Sequence, residues 1–169
     1  MQTYPHIDNL LARASADIAR SLCSWDEVPL AEEPDTLEAA TAYFNRTGHV
    51  AVTRLADFVS GRLRLWGEPL PWQAFFVWHD WCHINVPNGT FDPQGERIVH
   101  AAQVQQLADW ANKQAVPVTR YQFARMEAVM AAHNIARLEH WRVHGEPPRD
   151  LRAFAYGYLA ARDLAEERA

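Results

Sequence analysis

The chain has 169 residues, 49% of them hydrophobic and 22% charged, with a formal net charge of -5 at pH 7. That balance suits a single domain with a self-sufficient core and excludes a disordered segment or a general nucleic-acid binder, which would be basic. Cys23 and Cys82 are too few for a disulfide framework, the opening MQTYPHIDN lacks a leader pattern, and no run is long and apolar enough to span a membrane, so a cytoplasmic setting is expected.

The pattern predicts one helical domain over residues 1–169, an all-α compact bundle of about six helices. Asp8 can cap a first helix with Leu10, Ala14, Ile18 and Leu22 on one stripe. Trp25 to Pro34 is acidic, contains prolines and reads as a loop. Asp35 and Glu38 form a capping-box pattern for a second helix that runs towards Gly48, a point for a kink or break. Val52, Leu55, Val59 and Leu63 then continue a helical stripe to about Gly67. Pro71 suits the first position of a third helix through WQAFFVWHDWCHI, which Val86-Pro87-Asn88-Gly89 ends. Asp92 as cap and Pro93 as first residue open a fourth helix to about Ala115. Thr119 precedes a long fifth helix closed by Gly145, and Pro147-Pro148 separates a final helix containing Leu151, Phe154 and Tyr158. No segment alternates with a period of two, so strands are not expected.

The local feature with most chemistry is His79-Asp80-Trp81-Cys82-His83. Residues four apart share a helix face, so His79 and His83 can approach one ion together. Imidazole and carboxylate suit zinc, manganese, iron and similar ions. His49 lies upstream, with Arg46 one turn before it. Downstream, Glu96 and His100 repeat the one-turn spacing, and His133, Arg137, His140 and His144 share a stripe on the fifth helix. Asp163 lies late in the last helix. Each of these residues has a plainer reading: Glu96 suits the first turn of a helix for dipole reasons, His144 suits a helix end, and His100 or His133 can be buried structural groups. Trp72, Trp78 and Trp81 suit packing better than base stacking.

Arg46-x-x-His49, then Trp78-His79-Asp80, then His100 and an Asp within LAARDLAEER resemble the HD-domain superfamily of metal-dependent phosphohydrolases, over a core of about residues 36–166. The resemblance implies an HD-domain-like bundle in which His49, His79, Asp80 and Asp163 hold a divalent ion (Zn, Mn, Fe, Mg or Co), with His100 and His133 available to a second. It implies hydrolysis of a small phosphate-bearing substrate, such as a nucleotide, by a metal-activated water. Asp80 and His83 would take catalytic roles, and Arg46, or else Arg137, would meet the phosphoryl charge. The chain departs from many members at Cys82-His83, where they carry Gly-Lys, and Asp109 and Asp150 rival Asp163 as the late ligand.

His79-Asp80-x-x-His83 followed by Glu96 also resembles the zinc motif of a helical coenzyme-Q assembly family, with the glutamate one residue further along than that family's spacing. This second resemblance implies a metal protein acting on a quinone-like apolar ligand. A third reading is a non-catalytic interaction protein on a degenerate HD-like scaffold.

Overall fold

Helix α1 (Pro5–Leu22) leads the chain, and Ala14 and Ile18 of its predicted stripe are buried, with Leu10 and Leu22 packed beside them. The structure, a computed structural model, describes residues 5–57, 69–146, 154, 157–158 and 160–161. Strand β1 (Ser24–Val28) follows, then a tight turn at Leu30–Glu32 and helix α2 (Leu37–Thr47). Thr36, not Asp35, caps α2: its side chain accepts from the Ala39 amide. Strand β2 (His49–Thr53) comes next, then a single turn α3 (Leu55–Asp57).

The fold is compact and mostly helical, as expected, but among the described residues it includes one two-stranded sheet that the pattern did not announce. β1 and β2 pair in parallel, from Ser24 opposite His49 to Val28 opposite Thr53, with α2 as the crossover. Two local causes explain β2. Gly48 takes φ 74°, and its amide bonds the Phe44 carbonyl, which closes α2 with a left-handed cap. The next residues, His49-Val50-Ala51-Val52-Thr53, are rich in β-branched side chains. Four of these five are buried, so the strand shows no alternation, as in sheets covered on both faces. The spacing from Val52 to Leu55 therefore imitates a helical stripe; the rest of that expected stripe, Val59 and Leu63, lies outside the described residues. β1 falls inside the stretch expected to be a loop.

Helix α4 (Pro69–Asn85) starts two residues before the expected Pro71 and forms the middle of the molecule. It packs against α1, α2, β2 and helix α5 (Pro93–Asn112). Phe75, Val77, Trp78 and Cys82 on it are buried with Val50 and Val52 of β2 and Leu11 of α1. Burial of such side chains stabilises by about 1.5–3 kcal/mol each. The buried Gln73 amide donates to the Thr53 carbonyl at 3.1 Å and ties α4 to the end of β2.

Asp92 and Pro93 open α5 as expected, with the Asp92 carboxylate accepting from the Gln94 and Gly95 amides. Thr119 caps α6 (Arg120–Ala131) in a full capping box with Gln122. The helix passes through a π-helical turn at Ala132–Ala136 and continues as α7 (Arg137–His144), which Gly145 closes at φ 73°. Of the expected last helix, Phe154, Gly157, Tyr158, Ala160 and Ala161 are helical; Leu151 lies outside the described residues. Among the described residues, no helix is long and apolar enough to cross a membrane.

Candidate metal centre

One turn of α4 separates His79 from His83, so both imidazoles leave the helix on one face. The first turn of α5 brings Glu96 to the same point. His79 Nε2 lies 3.0 Å from His83 Nε2 and 3.3 Å from Glu96 Oε2, and His83 Nε2 lies 3.4 Å from Glu96 Oε1. All three residues are buried, with 6%, 3% and 8% of their surface exposed.

The approach of Glu96 depends on two glycines. A β-carbon on Gly95 would fall 1.9 Å from the Thr90 carbonyl oxygen, so only glycine lets the start of α5 lie against the preceding loop. Gly89 is pressed against the carbonyls that end α4, and its own carbonyl accepts from His83 Nδ1 at 2.8 Å. Asn88, at φ 62°, makes the turn that aims that carbonyl.

The outer nitrogens fix which ring nitrogens carry protons. A carbonyl only accepts, so His83 Nδ1 carries the hydrogen. Gln103 Oε1 accepts from Asn134 Nδ2 at 2.7 Å, which orients the Gln103 amide; the same oxygen lies 3.3 Å from His79 Nδ1 and makes that nitrogen a donor too. With both Nδ1 positions protonated, each neutral imidazole presents an Nε2 lone pair. These lone pairs face each other and the Glu96 carboxylate, whose Oε2 has no hydrogen-bond partner. Such a convergence of acceptors calls for positive charge between them, supplied by a bound metal ion or, without one, by a proton on an imidazole Nε2. Metal-ligating histidines hold their second N–H in this way.

The spacing matches an ion as well. A tetrahedral ion with bonds of about 2.0–2.1 Å sets its ligand atoms about 3.3–3.4 Å apart; here the two imidazole nitrogens lie 3.0 Å apart, each is 3.3–3.4 Å from a different oxygen of the Glu96 carboxylate, and one ligand atom from each residue lies within 4.8 Å of the other two. His79, His83 and Glu96 can therefore hold a metal ion. Three protein ligands leave a further position open, as in catalytic rather than structural zinc sites. Burial alone would raise the Glu96 carboxyl, but its contacts with His79 and His83 outweigh that and hold it well below the usual range. Burial opposes the His79 cation, yet the Glu96 carboxylate prevails and raises the imidazole.

No family model, curated protein or solved structure matches this chain.

The group opens on a cavity of about 540 Å³, within the range of small-molecule sites. Phe76, Ile84, Phe91, Leu138 and Trp141 supply apolar wall, and Asp80, Glu33, His133 and Arg137 supply polar groups. Burial pushes the Asp80 carboxyl up to about 6, with His79 opposing and Glu33 adding to the rise. Glu33 is held to β2, accepting from the Thr53 amide at 3.1 Å and from the Thr53 hydroxyl. Burial and the neighbouring Arg137 keep the His133 imidazole well below its ordinary value, so it is neutral. Burial also lowers the Arg137 guanidinium, against the pull of Glu96; arginine remains a cation at such a site.

The other candidates scatter. His49 is on β2, and its Nδ1 lies 2.8 Å from Asp26 Oδ1 on β1, with both side chains more than a third exposed. It stands apart from the His79–His83–Glu96 group because the strand that replaces the expected helix pairs it with β1. Arg46 is exposed and stacks its guanidinium over the Tyr43 ring at 5.1 Å. His100 meets Asn134 at 3.4 Å, and His133 meets the same residue through Asn134 Oδ1 at 3.0 Å. Both lie around the group, outside its three-residue cluster. Asp109 is exposed and accepts from Gln105, 3.1 Å away. Asp163 and Asp150 lie outside the described residues. The His140 and His144 rings lie 4.3 Å apart along α7, tilted by 37°.

Sequence reasoning did not find Glu33, Gln103 or Asn134. Gln103 carries a usable signal: it stands seven residues, two turns, after Glu96 and so shares its face of α5. Nothing local marks Glu33 or Asn134.

Proposed function

We propose that this chain holds one divalent ion with His79, His83 and Glu96 and acts there on a mostly apolar, quinone-like ligand. The observation that carries this is the meeting of two Nε2 lone pairs and a carboxylate at 3.0–3.4 Å, with both opposite ring nitrogens committed as donors. Bound there, the ion supplies a Lewis acid at the open position. The chain's own groups do the rest. Phe76, Ile84, Phe91 and Leu138 seat an apolar body and exclude water. Asp80 lines the same cavity and is placed to accept or return a proton.

The two family resemblances are supported unequally. The HD-domain pattern calls for His49 beside His79, and His49 holds Asp26 instead. The pattern of two histidines and a later glutamate calls only for residues that converge. A second reading, a metal-dependent phosphohydrolase, keeps support from Asp80 and Arg137, which share the cavity. Against a nucleotide, that cavity is also lined by Glu33, Asp35 and Asp92, which would repel a polyphosphate.

The test uses cobalt-loaded protein. A naphthoquinone-type ligand is expected to shift the visible cobalt bands, while p-nitrophenyl phosphate is not hydrolysed. Phosphate release that disappears in Glu96→Gln would replace this reading with the hydrolase. Failure of wild type to take up cobalt would sink both and leave the non-catalytic scaffold.

A further inference from the structure

The cavity carries a cation that its surroundings do not satisfy. Arg137 is the first residue of α7, directly after the π-helical turn Ala132–Ala136. Single π-turns within helices concentrate at functional sites. Here the turn contains His133 and runs directly into Arg137, both of which line the cavity with Leu138 and Trp141 further along. The Arg137 Nε is buried and has no hydrogen-bond partner. Among the described residues no carboxylate stands within ion-pair distance of its guanidinium. Glu96, the glutamate of the metal group, favours its charge, but both Glu96 oxygens are turned to His79 and His83. Arg137 is half-buried with one buried N–H left unbonded, which is costly, and a ligand oxygen reaching it would make a charge-assisted hydrogen bond that offsets the cost.

We propose that Arg137 is an anion-recognition residue and that the ligand of this cavity is an apolar monoanion, a carboxylate whose charged end docks on the guanidinium while its apolar body lies along Phe76, Ile84 and Trp141. The class follows from the wall. One arginine offers a planar fork that matches one carboxylate, the apolar side chains favour a hydrocarbon or aromatic body, and Glu33, Asp35 and Asp92 disfavour further negative charge. This assignment deepens the reading of the cavity given above and names the ligand's charge. It makes Arg137 the residue that sets specificity and leaves metal holding to the other three.

The experiment compares 2-naphthoate, its uncharged counterpart 2-naphthylmethanol, and inorganic phosphate. Binding is read by tryptophan fluorescence, since Trp141 lines the cavity, on metal-loaded and on metal-free protein. Wild type is expected to prefer the naphthoate over the alcohol by roughly ten- to hundredfold, the worth of a charged hydrogen-bonded contact, and to bind phosphate weakly. Arg137→Met is expected to lose that preference while keeping the alcohol affinity and the metal stoichiometry. Arg137→Lys, which retains the charge without the fork, is expected to fall between them. Equal binding of the two naphthyl probes by wild type would overturn the assignment, as would an unchanged preference in Arg137→Met. If Arg137→Met does not fold, the wild-type comparison and Arg137→Lys still decide. The metal-free arm separates the two proposals: a charge preference there without metal uptake would sink the metal centre and leave the Arg137 subsite standing.

Discussion

Replacing Gly95 by alanine tests how the first turn of α5 delivers Glu96. The new β-carbon would fall 1.9 Å from the Thr90 carbonyl oxygen and 2.4 Å from the Thr90 amide nitrogen. Both are backbone atoms, so no side-chain rotation relieves the clash. Restoring an ordinary contact needs a displacement of about 1.5 Å between the loop and the helix. Overpacking of this kind costs about 1–3 kcal/mol. The same shift weakens the bonds from the Gln94 and Gly95 amides to Asp92, worth about 1 kcal/mol as a cap. Alanine's better helix propensity returns up to about 1 kcal/mol. The net loss is about 2 kcal/mol, or roughly 4–8 °C in Tm for a chain of this size. Metal ligation tolerates about 0.2 Å, so affinity should fall by roughly tenfold or more. The assay is urea denaturation beside a chelator competition for zinc. Gly157→Ala is the control, because that glycine is helical and exposed with nothing within 4 Å of an added carbon; it should leave both readings within about 0.5 kcal/mol of wild type or slightly stabilise. A Gly95→Ala protein as stable as wild type, with zinc affinity unchanged, would refute the reasoning.

Gln103→Leu removes the acceptor that holds the His79 tautomer, and zinc affinity should drop by roughly 10–100-fold while circular dichroism stays native; unchanged affinity would count against the orienting role. Saturating zinc at about 100 times its Kd should add about 2.7 kcal/mol to wild-type stability, a gain of roughly 5–10 °C in Tm that a chelator reverses. The same addition should do nothing for His79→Ala. The Asp92 carboxyl is held below its usual range by hydrogen bonds from Thr90 and from the Gly95 amide. A lowered pKa contributes stability that is complete above the ordinary aspartate value of about 4 and is lost as pH falls through the folded value. Asp92→Asn should therefore cap α5 nearly as well at pH 7 yet show a flatter fall of Tm on acidification; parallel Tm curves for the two proteins would exclude the linkage.

Much of the helical framework could be read before any coordinates, because its signals are local. Asp92-Pro93, Thr119 with Gln122, and Gly145 mark helix ends through contacts made within a few residues. The apolar run from Trp72 to Ile84 belongs to a helix buried in the core. The parallel pair β1–β2 was hidden for the opposite reason: its hydrogen bonds join residues 25 apart, and a buried strand leaves no alternating pattern. The site divides the same way. His79 and His83 advertise themselves by their spacing. Glu96 has an equally good explanation as a first-turn acid, and only the close approach at Gly95 shows that it turns inward. His49, attractive by order along the chain, is claimed by Asp26 on a strand that local patterns did not announce. Gln103 and Asn134 act through amide orientation, which no spacing rule records.

X-ray absorption on zinc-loaded wild-type protein measures the central claim directly. One zinc per chain, with imidazole nitrogens and a carboxylate oxygen at about 2.0–2.1 Å, and with an imidazole contribution that falls in His83→Ala, is the predicted result. A protein that takes up no stoichiometric zinc, or a zinc shell without imidazole, would contradict it.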